Sequence, residues 1–362
     1  MTTPTTTGSP PRYGEPAPWF CAPCDDIPAF TFDSVGGHWV LLMFFGGLGH
    51  EVIRNAHQQI LASRALFDGG HALFFGVSVT RRDRASGQLA PGGGLRYFDD
   101  YDGAISRLYG VLGDTDDYRP TVFLLDPLLR VAASAPITQT GWVLDLLRAS
   151  LDRAPIEEAR HAPVLTIPRV FEPEFCRTLI DYYETVGGTL SGVMRQEGER
   201  TVGVYDPTFK RRADVELQDE QLRIGVQVRL RDRLAPIIAR AYSWQATRIE
   251  RYLVACYDVG DRGFFSAHRD NTTLGTAHRQ LAVTINLNAE EYDGGELCFP
   301  EFGQGLFKPP TGGATVFGCG LLHEVKPVTS GRRYAYLPFL YDEEAAALRD
   351  RNRHVVDAAP TS

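Results

Sequence analysis

The sequence has no excess of positive charge and no apolar run long enough to cross a bilayer. Lysine occurs three times among 37 lysine and arginine residues, and the formal net charge is −8. An acidic chain of this kind attracts neither nucleic acid nor an anionic membrane surface. The first residues also lack the apolar core of a secretory signal. We therefore expect a cytoplasmic protein that binds no nucleic acid and no membrane.

Cysteine is scarce as well, and its spacing does not indicate a disulfide framework. The six cysteines are scattered over 362 residues, and Cys21 and Cys24 are the one pair close in sequence. In a reducing compartment we expect the others to be core residues. The Cys21–Cys24 pair precedes the first predicted buried strand, and no second cysteine or histidine pair is near enough to complete a zinc site.

The length exceeds that of one typical domain, and the composition changes along the chain. Residues 1–12 are rich in threonine and proline and are predicted to be a disordered leader. Residues 13–152 form one predicted domain and 164–345 a second. Residues 153–163, charged and bracketed by proline, are predicted to link them, and 346–362 are predicted to be a C-terminal tail.

The first domain alternates strand-like and helix-like segments. Continuous apolar runs at 38–45 and 71–79 are typical of buried parallel strands, and the spacing at 51–67 and 141–152 is helical. This order predicts an α/β layer domain.

The second domain begins with helical patterns and continues as strands. Helices are predicted over 173–186 and 219–242, and from about residue 249 short strands follow one another between turns rich in glycine and aspartate. Many short strands at regular spacing indicate a barrel or a sandwich of the jelly-roll type.

A candidate metal site lies in the segment "FFSAHRDNTT", where His268 and Asp270 are two residues apart. On a regular strand both side chains point to the same side. Two imidazoles and one carboxylate on one face of a ferrous ion leave the opposite face open. His323, between two apolar strands, is the best third ligand. The alternative is that His268 is a solvated strand-end residue and His323 a packed one.

Two arginines follow His323 in "LLHEVKPVTSGRRYAYL". A co-substrate with two carboxylates can chelate the metal at one end and pair with an arginine at the other. Adjacent residues of a strand face opposite sides, so either Arg332 or Arg333 can serve, but not both.

The motifs of this region occur together in a specific order. They are "ACYDVGDRGFFSAHRDN", "RQLAVTINLN", "DGGELCFPEF", "GATVFG" and "LLHEVKPVTSGRRYA". In this the chain resembles the Fe(II)/2-oxoglutarate dioxygenases of the prolyl-4-hydroxylase type. The resemblance implies an α+β fold with a double-stranded β-helix, or jelly roll. It also implies Fe(II) bound by His268, Asp270 and His323, with Arg333 on the far carboxylate of 2-oxoglutarate and Arg332 as the second choice.

The resemblance also implies further co-substrate contacts. Tyr257 matches a tyrosine that helps to hold 2-oxoglutarate, although it could equally be a core residue. Thr284 and Asn286 stand where the related oxygen-sensing enzymes have a tyrosine against the co-substrate. The expected co-substrates are 2-oxoglutarate and O2, with ascorbate as a candidate auxiliary reductant. The intact Asp270 favours hydroxylation of an unactivated C–H bond over halogenation, and desaturation and cyclisation stay open.

The substrate is expected to be a small molecule or a peptide, with a prolyl or other amino-acid group as the target. The segment "VYDPTFKRRADVEL" at 204–217 is where related enzymes place a mobile loop over the site. Its Lys210, Arg211, Arg212 and Asp214 could contact a substrate carboxylate or a peptide backbone. The alternative is a charged, solvated loop.

The first domain resembles a different family. "YGEPAPWF", "GGHWVLLMFF" and "YRPTVFLLDPLLRV" are similar to the peroxiredoxins, which have a thioredoxin-like fold. Those enzymes need a reactive cysteine at the start of the helix after the first buried strand. The sequence there, "FFGGLGHEVIRNAH", has none. We therefore expect a non-catalytic domain that supports a homodimer or a partner protein. Two alternatives remain, a thiol redox protein or peroxidase that uses Cys21 and Cys24 beside an inactive barrel, and a binding scaffold.

Overall fold

The structure is a computed structural model that describes residues 9–113, 117–152 and 161–356. It divides into two compact units, Met1–His161 with Pro300–Gly303, and Ala162–Phe299 with Gln304–Ser362. Most of the predicted leader and linker, and the end of the predicted tail, lie outside the described residues.

The first unit contains seven strands and four α-helices in its described part. The strands are β1 (Cys21–Cys24), β2 (Ile27–Thr31), β3 (Trp39–Gly46), β4 (Ala72–Ser78), β5 (Leu95–Asp99), β6 (Thr121–Leu125) and β7 (Val131–Pro136), and the helices are α1 (Glu51–Ala62), α2 (Arg81–Ala85), α3 (Ala104–Leu108) and α4 (Thr140–Asp152).

These strands form one mixed sheet in the order β2-β1-β5-β4-β3-β6-β7. Strand β3 is parallel to β4 and antiparallel to β6. Its side chains alternate between two cores, with Leu41 and Met43 on the face that α1 and α4 cover and Leu42 and Phe44 on the other. A strand buried on both faces needs a continuous apolar sequence, which explains the run at 38–45.

The second unit contains more strands and four further α-helices among the described residues. Its strands are β8 (Leu165–Ile167), β9 (Thr189–Leu190), β10 (Val193–Glu197), β11 (Arg200–Val204), β12 (Lys210–Arg211), β13 (Ala213–Glu216), β14 (Arg248–Glu250), β15 (Leu253–Asp258), β16 (Phe264–His268), β17 (Leu281–Asn286), β18 (Asp293–Gly294), β19 (Leu297–Cys298), β20 (Leu306–Phe307), β21 (Ala314–Gly318), β22 (His323–Val325), β23 (Val328–Ser330), β24 (Arg332–Tyr336) and β25 (Phe339–Tyr341), and its helices are α5 (Pro173–Val186), α6 (Glu220–Arg229), α7 (Ala235–Tyr242) and α8 (Glu343–Arg351).

Two larger antiparallel sheets organise this unit. The first follows the order β14-β25-β17-β24-β15-β13-β9, with β21 paired to β17 and β8. The second follows β12-β16-β22-β19-β20. Helices α5, α6 and α7 pack on one face of the first sheet, where Val254 of β15 and Tyr336 of β24 join their core. Strand alternation therefore directs Tyr257, Thr284 and Arg333 to the opposite face.

The helix predicted over 219–242 is interrupted in the structure. It begins after Asp219, whose carboxylate accepts hydrogen bonds from the N–H groups of Gln221 and Leu222 at 2.8 and 3.0 Å. A π-helical segment, Leu230–Leu234, separates α6 from α7. Pro236 lies two residues after this segment, and a proline has no N–H to continue the α-helical pattern.

None of the helices in the described part of the chain combines the length and the hydropathy that a membrane-crossing segment needs.

Candidate metal centre

Three potential ligands from two neighbouring strands meet in the second unit. His268 ends β16 and His323 begins β22, and the two residues lie directly opposite each other in the antiparallel pair. Asp270 lies just beyond the strand, where its N–H donates to the carbonyl of Cys319 at 2.9 Å. The ligand atoms of the three side chains all lie within 4.8 Å of one another. The structure thus brings together the residues predicted as ligands, although Asp270 is not on the regular strand that the spacing predicts.

Both imidazoles are held by main-chain carbonyl groups. Nδ1 of His268 donates to the carbonyl of Ser266 at 2.7 Å, and Nδ1 of His323 donates to that of Leu321 at 3.0 Å. Each Nε2 faces Asp270 instead, at 3.7 Å for His268 and 3.4 Å for His323. Metal-ligating histidines characteristically donate their other ring nitrogen in this way.

The protonation states also suit a cation. Burial, followed by the neighbouring His323, lowers the pKa of His268 to about 3, so this imidazole is neutral at physiological pH. Burial raises the pKa of Asp270, but His323, His268 and nearby arginines outweigh it, and the net pKa lies below its ordinary value. Two imidazoles and one carboxylate are a donor set that ferrous ion accepts.

Arg333 lies in the same cavity as these three residues. It is only 2% exposed, and its Nε and Nη1 have no hydrogen-bond partner among the described residues. Its guanidinium lies 4.9 Å from the ring centre of Tyr257, which is its cross-strand partner. A buried cation without a partner is costly, so this position fits an anionic group.

Arg332 occupies the opposite face of β24. Its side chain is 53% exposed and pairs with Asp258 at 2.6 Å and with Glu184 at 3.5 Å. The geometry therefore favours Arg333 over Arg332 as the ligand of an anion inside the cavity.

The two polar residues of β17 differ in their surroundings. Thr284 lines the cavity beside the histidines. The Asn286 amide donates to the carbonyl of Pro309 at 2.8 Å, a contact that fixes the chain at that point. Thr284 is thus available to a bound molecule, and the Asn286 amide is engaged in the fold.

Three charged residues of 204–217, Lys210, Arg212 and Asp214, make hydrogen bonds within the fold, whereas Arg211 is exposed. Arg212 donates to both carboxylate oxygens of Asp214, at 2.7 Å each, and lies 3.4 Å from the hydroxyl of Tyr257. Lys210 donates to Ser191 and to the carbonyl of Gly192. Both Lys210 and Arg212 are buried, so a solvated loop is the wrong interpretation for them.

Arg251 also lines the cavity. Its sequence context does not single it out, because it lies in a short connection between two strands and belongs to no recognisable motif. The structure alone reveals that it faces the candidate metal centre.

Glu250 lies at the edge of the site and accepts hydrogen bonds from His278 at 2.7 Å and from Arg279 at 2.7 and 3.1 Å. Burial raises its pKa, but these donors outweigh the burial, and the net pKa lies below the ordinary value. Ionised Glu250 therefore stabilises the fold at neutral pH, and this contribution is lost as the pH falls below the unfolded-state pKa of about 4.3.

We expect Glu250→Gln to lower the free energy of unfolding at pH 7 by about 3–5 kcal/mol, because it leaves Arg279 buried without its acid. Urea denaturation at pH 7 and at pH 4 checks this, and the difference from wild type should shrink at the lower pH. Glu343→Gln, which removes an exposed partner of Arg248, is the control and should leave the midpoint unchanged. Equal effects of the two substitutions would contradict the prediction.

The Cys21–Cys24 pair lies in β1, where Cys24 is buried. Burial, with a smaller contribution from Asp25, raises the pKa of the Cys24 thiol to about 12. Such a thiol is unreactive, because thiolate is the nucleophile. The turn between β3 and α1, residues 47–50, contains no cysteine either. These features argue against the thiol redox alternative.

We expect DTNB to modify one of the six thiols rapidly in the native protein, because Cys21 is exposed and the other five are buried. Cys21→Ser should remove that fast phase, and all remaining thiols should react after unfolding in guanidinium. A second fast thiol that disappears in Cys24→Ser would instead support a reactive pair.

The region that contains the candidate metal ligands is similar to a known protein family. Residues 252–341 match the 2OG-Fe(II) oxygenase superfamily. The matched segment contains His268, Asp270, His323 and Arg333, and the predicted resemblance of the C-terminal region is confirmed.

Several curated relatives are PKHD-type hydroxylases. The protein from Synechococcus sp. (strain JA-2-3B'a(2-13)) is 34% identical over 93 residues, which cover 24% of this chain and 41% of the relative. That from Verminephrobacter eiseniae is 32% identical over 128 residues (30% and 54%), and that from Paracoccus denitrificans is 29% identical over 182 residues (48% and 75%). The chain thus spans about half the length, or less, of the first of these relatives.

Two kinds of solved structure are similar to the chain. A prolyl hydroxylase from Trichoplax adhaerens, in complex with a peptide fragment of hypoxia inducible factor, is 19% identical with a TM-score of 0.41, covering 57% of this chain and 96% of that one. The Xanthomonas campestris bacterioferritin comigratory protein is 20% identical with a TM-score of 0.31, covering 36% and 91%.

Proposed function

We propose that the second unit is a non-haem Fe(II)/2-oxoglutarate-dependent dioxygenase that hydroxylates an unactivated C–H bond. The observation that carries the proposal is the joint placement, in one cavity, of the His268, Asp270 and His323 ligand atoms and of Arg333, whose Nε and Nη1 have no hydrogen-bond partner among the described residues. The match to the 2OG-Fe(II) oxygenase superfamily over the same residues supports it.

In this proposal each residue has one task. His268, Asp270 and His323 would hold Fe(II) through two nitrogens and one oxygen. Arg333 would pair with the far carboxylate of 2-oxoglutarate, beside Tyr257 and Thr284. When bound, Fe(II) and 2-oxoglutarate supply the oxidative chemistry, in which O2 is consumed, 2-oxoglutarate becomes succinate and CO2, and one oxygen atom enters the substrate.

The remaining lining would exclude water and fix the ligands. The ring of Phe265 stacks on His268 with centroids 3.5 Å apart, and Phe317 lies edge-on to His323 at 4.6 Å. Leu297, Val325 and Phe339 add apolar surface. A dry wall of this kind strengthens charge interactions inside the cavity and protects reactive species from solvent.

For the whole chain, we propose a thioredoxin-like first domain over 13–152 and a double-stranded β-helix over 164–345. The mixed sheet of the first unit and the two antiparallel sheets of the second support this assignment. The first domain would be non-catalytic and serve a homodimer or a partner protein. The substrate would be a small molecule or a peptide with a prolyl or other amino-acid group.

Anaerobic spectroscopy tests the proposal directly. Fe(II) added with 2-oxoglutarate should produce the weak visible charge-transfer band of a chelated complex, and admission of O2 should produce succinate at a slow rate even without substrate. Fe(II) without 2-oxoglutarate is the control and should give no band. Absence of both the band and succinate from the wild-type protein would contradict a dioxygenase function.

A further inference from the structure

Arg251 is a second arginine of the cavity whose guanidinium is unpartnered. Among the described residues its guanidinium makes no hydrogen bond and no ion pair, and its packing contact is the ring of Phe339, 5.0 Å from the guanidinium carbon. Glu250 and Asp214 lie close enough to raise its pKa, and Arg251 in turn helps to lower the pKa of Asp270. The cavity therefore contains a positive charge to which no acid among the described residues is hydrogen-bonded.

Glu250 and Asp214 accept three hydrogen bonds each from other side chains, and Asp270 belongs to the candidate metal centre. Glu250 accepts from Arg279 and His278. Asp214 accepts from Arg212 and, at 2.5 Å, from Ser191. Among the described residues, neither Glu250 nor Asp214 makes a hydrogen bond to Arg251.

The pKa of Arg251 is consistent with the lack of a hydrogen-bonded acid. Burial, followed by the positive charges of Arg279 and Arg212, lowers the pKa of Arg251 to about 10. An anion placed against Arg251 would therefore relieve both the burial and the repulsion from two like charges.

The backbone also holds Arg251 in an uncommon conformation. Its φ angle is +70°, in the left-handed region that favours glycine. Such conformations cost free energy and cluster at ligand sites, where the side-chain direction that they impose is useful. Here the conformation occurs at a cavity-lining residue, and the hydroxyl of Tyr336 donates to its carbonyl at 3.4 Å.

Arg251 and Arg333 enter the cavity from opposite ends of β15. Arg333 pairs with Tyr257, near the end of this strand, whereas Arg251 lies two residues before its start. At about 3.3 Å per residue, the backbones at positions 251 and 257 are separated by up to about 20 Å. The two side chains therefore start from different points of the cavity wall, as separate binding of two anions would require.

We propose that Arg251 binds a carboxylate of the organic substrate, while Arg333 binds 2-oxoglutarate. The inference rests on the proposed dioxygenase function and adds a substrate class, namely molecules with a carboxylate near the C–H bond that reacts. A guanidinium presents parallel N–H groups to the two oxygens of a carboxylate and so fixes direction as well as affinity. The carboxylate can be that of a free amino acid or that of an acidic side chain in a peptide.

A paired substrate panel tests this inference. The panel contains the free L-amino acids, the corresponding amino-acid amides, and end-capped peptides with and without aspartate or glutamate, and the readout is succinate formed above the substrate-free rate. We expect carboxylates to stimulate turnover with a kcat/KM at least 30-fold above that of their amides. Stimulation by free acids indicates a small-molecule substrate, and stimulation by capped acidic peptides indicates a side-chain carboxylate.

Arg251→Gln should lose at least 30-fold in kcat/KM for the stimulating acid, mainly through KM, and Arg251→Lys should recover part of the loss. The Kd of 2-oxoglutarate, from the anaerobic band, should stay within about threefold of wild type, because Arg251 would act on the substrate. Arg248→Gln, an exposed arginine of the adjacent strand, is the matched control. Circular dichroism confirms that each variant folds.

Three results would overturn the inference while leaving the dioxygenase function intact. Amides could serve as well as acids, Arg251→Gln could leave the KM of the acid unchanged, or it could weaken 2-oxoglutarate binding instead. By contrast, loss of the anaerobic band and of substrate-free succinate in the wild-type protein would contradict the proposed function itself.

Discussion

Asp270→Ala is expected to reduce succinate formation at least 1,000-fold, which corresponds to about 4 kcal/mol in the activation free energy. The carboxylate is the one anionic member of the candidate ligand set among the described residues. Without it, Fe(II) would meet only two imidazoles, in a cavity that also contains the positive charges of Arg251 and Arg333. Equilibrium dialysis should show that Fe(II) binding falls from one equivalent to an undetectable level.

Asp261→Ala is the matched control for that experiment. Asp261 is an exposed aspartate between β15 and β16, and it is not one of the described residues that line the cavity. It should retain wild-type Fe(II) binding and succinate formation. Retention of one equivalent of Fe(II) by Asp270→Ala, with turnover near that of the control, would remove Asp270 from the metal centre.

The second large effect is expected on 2-oxoglutarate. Arg333→Gln should raise the KM for 2-oxoglutarate at least 100-fold, or about 2.7 kcal/mol, because it removes the buried charge that would pair with the far carboxylate. Fe(II) binding should be unaffected. Thermal unfolding without co-substrate should not be lowered, because the guanidinium of Arg333 has atoms without a partner in the protein alone.

The neighbouring arginine provides the control for Arg333. Arg332→Gln makes the same chemical change one residue away, on the exposed face of β24. Its KM for 2-oxoglutarate should stay within about threefold of wild type. A larger effect from Arg332 than from Arg333 would mean that the co-substrate approaches from the other face of the strand.

Much of the local structure could be predicted from the sequence. The apolar runs at 38–45 and 71–79 correspond to β3 and β4, which pair in parallel. The helical spacing at 173–186 corresponds to α5. Buried strands and amphipathic helices impose short periodicities on the sequence, and these can be recognised without knowledge of the partner element.

The three candidate metal ligands could also be predicted from local sequence patterns. The spacing of His268 and Asp270 and the position of His323 between two apolar strands are local features. Local sequence patterns could not decide whether Arg332 or Arg333 faces the cavity. That depends on which face of β24 meets the core, and therefore on strand pairing that only the folded chain provides.

Features that depend on partners distant in sequence could not be predicted. Arg251 is notable only because Glu250 and Asp214 are occupied by other residues, and this pattern of pairing is a tertiary property. The periodicity of the sequence also does not predict the π-helical segment before Pro236, because the apolar pattern continues through it. The Cys21–Cys24 motif proves to be a strand, which its spacing does not indicate.

The carbonyl groups that hold the two imidazoles have a consequence for tolerance to mutation. Each acceptor is a main-chain oxygen two residues before its histidine, at Ser266 and at Leu321. Every amino acid supplies that oxygen, so substitution at either position leaves the acceptor in place. A combinatorial library at these two positions should therefore retain Fe(II) binding in most folded members. The orientation of the ligands is inherited from the path of the chain, and side chains around them are free to diverge as substrates change.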